Sequence, residues 1–293
     1  MDDKAASKKF PLAAGILVVA FSPVLWKLAR FAWHDELHSY IVLIPAVSWY
    51  LARLQKKLPP ISAPAKISAA IFSFAGLAVF AWHWFAPRAA LADNLAQSTL
   101  AFVLLFTAVG GWFLGAARLR ALAFPFALLL FMVPLPDAWR SATEVFLQHG
   151  SAWVAGWMFA LSDVPVLQTG LVFKLPGITL QVAPECSGIH STMVLFITSL
   201  VAGNIFLRSP GRRAALALAV IPLALLRNGF RVFVLGELCV HVGPEMIDSP
   251  IHHRGGPLFF ALSLLPFFLL LYWLWRQERA AKPAEKIEPK NLT

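Results

Sequence analysis

Long apolar segments separated by short basic clusters constrain what this chain can fold into. A membrane-spanning helix needs about 20 mostly apolar residues, and about eight segments approach that length. They cover residues 10–31, 39–54, 67–85, 95–114, 119–133, 189–207, 214–240 and 257–275. Only 14% of the residues are charged, against about 25% in a typical soluble domain. We therefore predict an all-α polytopic membrane protein with about eight transmembrane helices.

The basic residues report the membrane orientation of the chain. The net charge is +10, and basic residues gather in short segments on the cytoplasmic side of membrane proteins. No basic face interleaves with stacking aromatics, which argues against nucleic-acid binding. We expect both termini to be cytoplasmic and residues 10–31 to be a retained signal anchor. The clusters are Lys4/Lys8/Lys9, Arg53/Lys56/Lys57/Lys66, Arg118/Arg120, Arg208/Arg212/Arg213 and Arg276/Arg279/Lys282.

A less apolar segment, residues 137–185, interrupts the predicted spans on the outer side. Its first part, 143–160, mixes tryptophans with polar residues and predicts an interfacial helix, with a full span as the alternative. Pro176-Gly177 suits the centre of a type II turn, which predicts a short β-hairpin. We treat residues 1–275 as a single membrane domain and 276–293 as a basic, disordered cytoplasmic tail.

The segment from Pro184 to Ser191 places Cys186 at the outer end of the sixth predicted span. Thiolates are favoured near a helix N-terminus, because unpaired N–H groups stabilise negative charge there. The alternatives are an inert buried cysteine or a disulfide to Cys239, which itself lies in an apolar stretch and is interpreted as structural.

Two arginines inside the seventh predicted span require an explanation. Arg227, Asn228 and Arg231 share one helix face, and an arginine within a span costs about 2.5–3.5 kcal/mol on insertion scales. At 1.5 Å per residue, Arg231 lies roughly 27 Å beyond the cytoplasmic end, near the outer edge of the bilayer. Arg231 could instead snorkel to the interface, and Arg227 could pair with Glu185, Glu237 or a carbonyl.

Two histidines, His252 and His253, precede the eighth predicted span on the same outer side as Cys186. A histidine can take the thiol proton, and the thiolate can then attack a carbonyl to form a thioester. An arginine such as Arg231 can stabilise the oxyanion. The pattern therefore predicts thiol catalysis, and we expect no cofactor and no metal. A metal site at His34 and His38 is a weaker alternative, because this pair is not the His-Glu-x-x-His motif.

Over residues 33–260 the sequence resembles the exosortase/archaeosortase family of polytopic membrane cysteine transpeptidase-like proteins. Three family motifs occur in order, at Cys186-Ser187-Gly188-Ile189-His190-Ser191, Asn228-Gly229-Phe230-Arg231 and His252-His253-Arg254-Gly255-Gly256. Two earlier family features look like Asp35, His38 and Pro45, and like Phe124-Pro125 to Pro134-Leu135-Pro136.

The resemblance implies that Cys186 is the nucleophile, His252 the general base and acid, and Arg231 the stabiliser of the oxyanion or thiolate. The spacing to Gly256 favours His252 over His253. Arg227 stands where the family usually has a small residue, which leaves open which arginine faces the thiol.

The resemblance also implies a substrate class and a location. The substrates would be exported proteins with a C-terminal Pro-Glu-Pro-like motif, an apolar helix and a basic tail. Cleavage would occur on the periplasmic face of the inner membrane, with transfer to an envelope acceptor. The alternatives are a protease without transfer, a non-catalytic sorting factor, and a transporter or polysaccharide-export component that binds an anionic substrate at Arg227 and Arg231.

Overall fold

The computed structural model describes residues 3–55, 57–61, 63–85, 90–184, 187–249 and 255–280. The chain forms two compact units, Met1–Arg140 and Ser141–Thr293. It is mostly helical, as the sequence predicts, and contains a small three-stranded sheet where a two-stranded hairpin was predicted. Within the described residues, six helices are long and apolar enough to cross a membrane, or seven if one bent pair is a single span.

The regular secondary structure of the first unit is helical throughout its described residues. The helices are α1 (Asp3–Ala20), α2 (Ser22–His34), a 3₁₀ helix (Glu36–Leu43), α3 (Ile44–Leu54), α4 (Lys66–Phe85), α5 (Leu91–Ala121), α6 (Ala123–Leu128) and a second 3₁₀ helix (Leu129–Met132). Helices α4 and α5 pack along each other, α1 and α2 pack on α5, and α3 packs on α6.

The first predicted span, residues 10–31, is broken in the structure. The apolar parts of α1 and α2 meet at an angle of 69°. Pro23 lies in the first turn of α2, where proline is tolerated because its missing N–H has no helical partner anyway. The prediction of one continuous helix therefore needs correction to a broken span or a re-entrant pair.

The fourth and fifth predicted spans are also divided differently. Helix α5 continues past residue 114 to Ala121, with a break at Gly115 (φ 78°, ψ 169°). The remaining apolar helix, Ala123–Met132, is shorter than a membrane span requires. The predicted stop at Pro134-Leu135-Pro136 is confirmed, since helical structure ends at Met132. Eight spans were predicted, and six candidates are found among the described residues. The two that differ are residues 119–133, whose helix is too short, and residues 10–31, which are broken into two helices.

Buried His38 links the turn at Asp35 to the Pro134-Leu135-Pro136 segment of the first unit. His38 is 1% exposed, and its Nε2 accepts a hydrogen bond from the backbone N–H of Leu135 at 3.2 Å. Its Nδ1 lies 3.3 Å from Asp35 Oδ2. Asp35 also caps the following 3₁₀ helix by accepting from Leu37 N–H at 2.9 Å. His34 instead bonds the carbonyl of Arg30, and no cluster of three metal-binding side chains occurs among the described residues.

The second unit begins with most of a long amphipathic helix and the sheet. Helix α7 (Asp137–Ala160) is continuous and is absent from the helices apolar enough to span a membrane. Its tryptophans Trp139, Trp153 and Trp157 are exposed, while its opposite face is buried. The predicted helix over 143–160 is therefore present, with the exposed aromatic face typical of an interfacial helix.

The sheet contains the predicted hairpin and one further strand. Its strands β1 (Leu167–Thr169), β2 (Val172–Leu175) and β3 (Ile178–Gln181) are antiparallel in that order. Gly177 has φ +80°, as the third position of a type II turn requires. In the register, Leu175 pairs with Ile178 and Phe173 with Leu180.

The buried side of the sheet packs on α7 and on the helix Val220–His241. Phe159 contacts Phe173, with ring centroids 5.6 Å apart. Cys239 belongs to the same cluster, where it is 2% exposed. It is a free thiol, which argues against the alternative of a disulfide to Cys186.

The remaining helices include three candidate spans. Helices α9 and α10 are consecutive and together form one candidate span, Pro210–His241. Residues 276–280, which the sequence assigned to a disordered tail, continue the last helix, and the rest of that tail lies outside the described residues. The elements are α8 (Ile189–Phe206), α9 (Pro210–Leu218), α10 (Val220–His241), a 3₁₀ helix (Pro244–Asp248) and α11 (Gly256–Ala280).

Candidate active site

The predicted site residues divide into two groups. Arg227, Asn228 and Arg231 lie on α10, as predicted. Glu185, Cys186, His252 and His253 lie outside the described residues. Some residues of each of the three motifs are described, and the contacts of these residues are as follows.

Ser187 and Gly188, which follow the predicted nucleophile in the sequence, lead into α8. Ser187 N–H donates to the carbonyl of Pro184 at 3.0 Å. Gly188 then adopts a left-handed conformation, φ 71° and ψ 20°, directly before the helix. A Cβ at this position would lie 2.9 Å from Arg227 Nη2. Glycine is therefore favoured twice here, by its backbone angles and by the close approach of the arginine.

The carbonyl oxygen of Gly188 is a shared acceptor. Arg227 Nη2 donates to it at 3.2 Å, and the hydroxyls of Ser191 and Thr192 donate to it at 3.0 and 2.8 Å. Arg227 Nη2 also lies 3.3 Å from Thr192 Oγ1. The Cys-x-Gly motif and the helix that carries Asn-x-x-Arg are thus directly bonded.

One of the partners considered for Arg227 is a backbone carbonyl, and the guanidinium does bond that of Gly188. Glu185, another of them, lies outside the described residues. Glu237 lies elsewhere on α10 and its Oε2 is 3.2 Å from His241 Nε2. Arg227 is 8% exposed, so it is anchored to α8 and does not snorkel to an interface.

Asn228, the next residue of α10, bonds a second helix. Its side chain is 2% exposed, and its Nδ2 donates to Ser151 Oγ on α7 at 3.0 Å. A buried amide needs such a partner, because an unsatisfied one costs about 1–3 kcal/mol. Arg227 and Asn228 therefore orient α10 toward α8 and α7 at consecutive positions.

The helix that follows the third motif makes an aromatic contact with α10. Helix α11 begins at Gly256, the last residue of the motif, and packs on α10. In its first turn, Phe259 N–H donates to Gly255 O at 3.1 Å. The Phe259 ring meets Phe230 edge-on, with centroids 6.1 Å apart. Phe230 belongs to the Asn-x-x-Arg motif, so the helix that follows the third motif contacts the second motif.

Arg231 lies beside a small cavity at the end of the sheet. The cavity has a volume of about 110 Å³ and lies between α10 and the chain that leaves β3. It borders Ala183, three residues before the predicted nucleophile. Its lining residues are Leu180, Gln181, Val182, Ala183, Asn228, Arg231, Val232, Leu235 and Ile247.

Two buried polar atoms near the turn have no hydrogen-bond partner among the described residues. They are Arg227 Nη1 and Ser187 Oγ. Most buried polar groups in proteins are paired, so an unpaired one requires an explanation such as a functional role. The arginine donor also carries positive charge, which favours a nearby anion or a developing negative charge.

Two residues of this framework were missed by the sequence analysis. Thr192 and Ser151 hold Arg227 and Asn228, yet both are common helix residues with no motif of their own. Thr192 lies four residues after Gly188, the spacing at which a hydroxyl can bond a carbonyl of the preceding turn. That spacing was a usable signal. Ser151 lies 77 residues from its partner, and no local pattern indicates it.

The chain has no match among curated proteins or solved structures. A family model described as transmembrane exosortase matches residues 26–269. The matched region is most of the chain and contains all three motifs. This chain therefore belongs to the transmembrane exosortase family.

Proposed function

We propose that this protein is a membrane cysteine peptidase of the transpeptidase type, which cleaves the C-terminal sorting signal of exported proteins. Family membership implies a sorting transpeptidase type of function and places the chain among multi-pass membrane proteins. One structural observation supports the specific site most. Arg227 on the Asn-x-x-Arg helix donates to Gly188, two residues after Cys186.

In the proposed mechanism Cys186 is the nucleophile. It lies three residues before the start of α8, where unpaired helix N–H groups favour a thiolate. Arg227 acts as a positioning residue, because it holds the backbone of the turn that follows Cys186. Glu185 and Asn228 are supporting residues in this proposal.

The reaction proceeds through a thioester. His252 takes the thiol proton, and the sulfur attacks the scissile carbonyl to give a tetrahedral oxyanion. The peptide C–N bond then breaks, and protonated His252 gives its proton to the leaving amine. An acceptor nucleophile next attacks the thioester while His252 takes its proton, and Cys186 is released. Water as the acceptor would give simple hydrolysis.

Arg231 is proposed to stabilise the oxyanion. It lines the cavity that borders Ala183, which is close in sequence to Cys186. A cation fixed at the position of developing charge is worth more where water is scarce. His253 is proposed to be dispensable as the base, because the motif spacing to Gly256 selects His252.

We further propose the location and the substrates. The protein would reside in the inner membrane as one membrane domain, with both termini cytoplasmic and Cys186 on the periplasmic face. Its substrates would carry a Pro-Glu-Pro-like motif, an apolar helix and a basic tail. This orientation follows from the basic clusters, which concentrate on the cytoplasmic side of membrane proteins.

The proposal is tested with a secreted reporter that carries this tripartite C-terminal signal. Cys186→Ala should abolish reporter cleavage while the protein stays inserted and folded. Cys239→Ala is the matched control, because it removes the other, buried thiol and should leave cleavage intact. Undiminished cleavage by Cys186→Ala would refute the mechanism and favour the transporter or sorting-factor alternative.

A further inference from the structure

Two neighbouring cavities lie at the shared ends of α8 and α11 in the second unit, and none of their lining residues belongs to the three motifs. The first, which we name the basic cavity, has a volume of about 590 Å³. It is lined by Ile205, Phe206, Arg208, Trp275, Glu278 and Arg279. The second, the apolar groove, has a volume of about 250 Å³. It is lined by Phe206, Phe268, Leu271, Tyr272 and Trp275.

The carboxylate of Glu278, which lines the basic cavity, already has partners within the protein. Glu278 accepts the backbone N–H groups of Arg208 and Ser209 at 2.9 and 2.7 Å. Its carboxylate also lies 3.9 Å from Arg212 Nη1. Glu278 therefore caps the turn that enters α9, and its charge is balanced by Arg212 and by the N-terminus of that helix.

The positive charges of the basic cavity are arranged to meet an anion. The guanidinium of Arg279 lies 3.8 Å from the centroid of the Trp275 ring, which orients its donors. The side chain of Arg208 is exposed and lines the same cavity. Two guanidinium groups beside an open cavity match a phosphate, since arginine donates two parallel hydrogen bonds to its oxygens.

The two cavities are continuous through Phe206 and Trp275, which line both. From Trp275 to Phe268 the groove extends roughly 10 Å along α11 at 1.5 Å per residue. Both α8 and α11 are candidate membrane spans. A charged cavity at the end of two spans, continued by an apolar groove along one of them, has the form of a lipid molecule.

We propose that this surface binds one anionic phospholipid. Its phosphate would contact Arg208 and Arg279, and part of an acyl chain would occupy the apolar groove. A free phosphate would use the basic cavity but leave the groove empty. The basic residues at this end indicate the cytoplasmic leaflet, where anionic lipids attract arginines near the surface.

The test uses the purified full-length protein in nanodiscs of phosphatidylcholine doped with phosphatidylglycerol. Native mass spectrometry then counts the lipids retained after release. We expect the wild-type protein to retain phosphatidylglycerol in preference to phosphatidylcholine. The double variant Arg208→Gln/Arg279→Gln should lose at least roughly tenfold in apparent affinity for phosphatidylglycerol. Arg53→Gln is the matched control, because Arg53 also stacks on a tryptophan, Trp49, at a helix end. This variant should retain as much phosphatidylglycerol as the wild-type protein.

Two measurements on the wild-type protein keep the proposal falsifiable if the double variant does not fold. Equal retention of the two phospholipids would overturn it. Full displacement of the bound lipid by soluble glycerol phosphate at the same concentration as the lipid would also overturn it, because the apolar groove would then contribute nothing to binding. Unchanged phosphatidylglycerol retention by a folded double variant would have the same consequence.

Discussion

Two polar turns, one in each unit, use a buried basic side chain in different ways. In the His38 turn, residues 35–38, the imidazole accepts from Leu135 N–H and lies beside the Asp35 carboxylate. In the Gly188 turn, residues 187–192, Arg227 donates to a carbonyl and keeps a buried N–H without a partner among the described residues.

The difference indicates different roles for the two turns. The imidazole of His38 accepts a backbone N–H at Nε2, and its Nδ1 lies 3.3 Å from the Asp35 carboxylate, so the charge partner of this side chain is within its own turn. At the Gly188 turn, Arg227 Nη1 and Ser187 Oγ are buried without a hydrogen-bond partner among the described residues, and no described carboxylate is paired with the guanidinium. We therefore expect changes in the His38 turn to affect the free energy of unfolding and changes in the Gly188 turn to affect catalysis.

The largest effect is expected at the histidines that precede α11. A general base contributes about 10²–10⁴-fold to a rate, so His252→Ala should lower reporter cleavage by that factor. His253→Ala is the control and should change cleavage only slightly. The measurement is the initial rate of reporter cleavage per inserted protein. Equal rates for the two variants would refute the choice of His252.

The next effect is expected at Arg227, which joins the Gly188 turn to α10. Arg227→Met removes the bond to the Gly188 carbonyl, and loss of such positioning can cost about 10²-fold in rate. Arg213→Met is the matched control, because Arg213 also donates to a backbone carbonyl, that of Leu207, at 2.8 Å. Both variants lose one arginine–carbonyl bond in the second unit. Cleavage rates that fall equally in both would show that Arg227 has only a structural role.

A change in the His38 turn should lower the stability of the protein and leave its cleavage activity nearly unchanged. His38→Ala leaves the Leu135 N–H without its acceptor, which costs about 1–3 kcal/mol in the free energy of unfolding. Reporter cleavage per folded protein should stay close to wild type. His34→Ala is the control and should be neutral in stability, because His34 is exposed and bonds only its own helix. A His38→Ala variant that keeps its stability but loses activity would contradict the structural role of the His38 turn.

The smallest effect is expected at Thr192. Thr192→Val removes the hydroxyl that contacts both Gly188 O and Arg227, and a single hydrogen bond is worth about 0.5–1.5 kcal/mol. Cleavage should fall a few-fold. Thr198→Val is the matched control on the same helix, since Thr198 bonds only the carbonyl of Val194. If the two variants have the same cleavage rate, Thr192 does not support the site.

Local patterns predicted those parts of the fold that depend on local chemistry. The prolines after Met132 end a helix, and Pro176-Gly177 closes a hairpin, because each acts on its own backbone. The polar, tryptophan-bearing segment after Asp137 forms an amphipathic helix for the same reason. Apolar length alone identified most of the helices that can span a membrane.

The parts that sequence analysis missed depend on contacts between distant residues or on local breaks in long apolar runs. The bend between α1 and α2 occurs inside an apolar segment, where hydropathy has no signal. Helix α5 continues past Gly115 through the basic residues Arg118 and Arg120, whose charge favours the end of a span but does not end a helix. Strand β1 is short and exposed, so its alternation is too brief to detect. At the site, Arg227 was recognised as unusual, but its partner Gly188 lies 39 residues away.

The most direct test of the account is the detection of a covalent acyl-enzyme. The purified protein is mixed with the reporter, quenched in acid and analysed by mass spectrometry of the intact protein and of its peptides. The account predicts a thioester on Cys186 that hydroxylamine releases and that the Cys186→Ala variant lacks. Reporter cleavage without any adduct on Cys186, under conditions in which His252→Ala also cleaves normally, would contradict it.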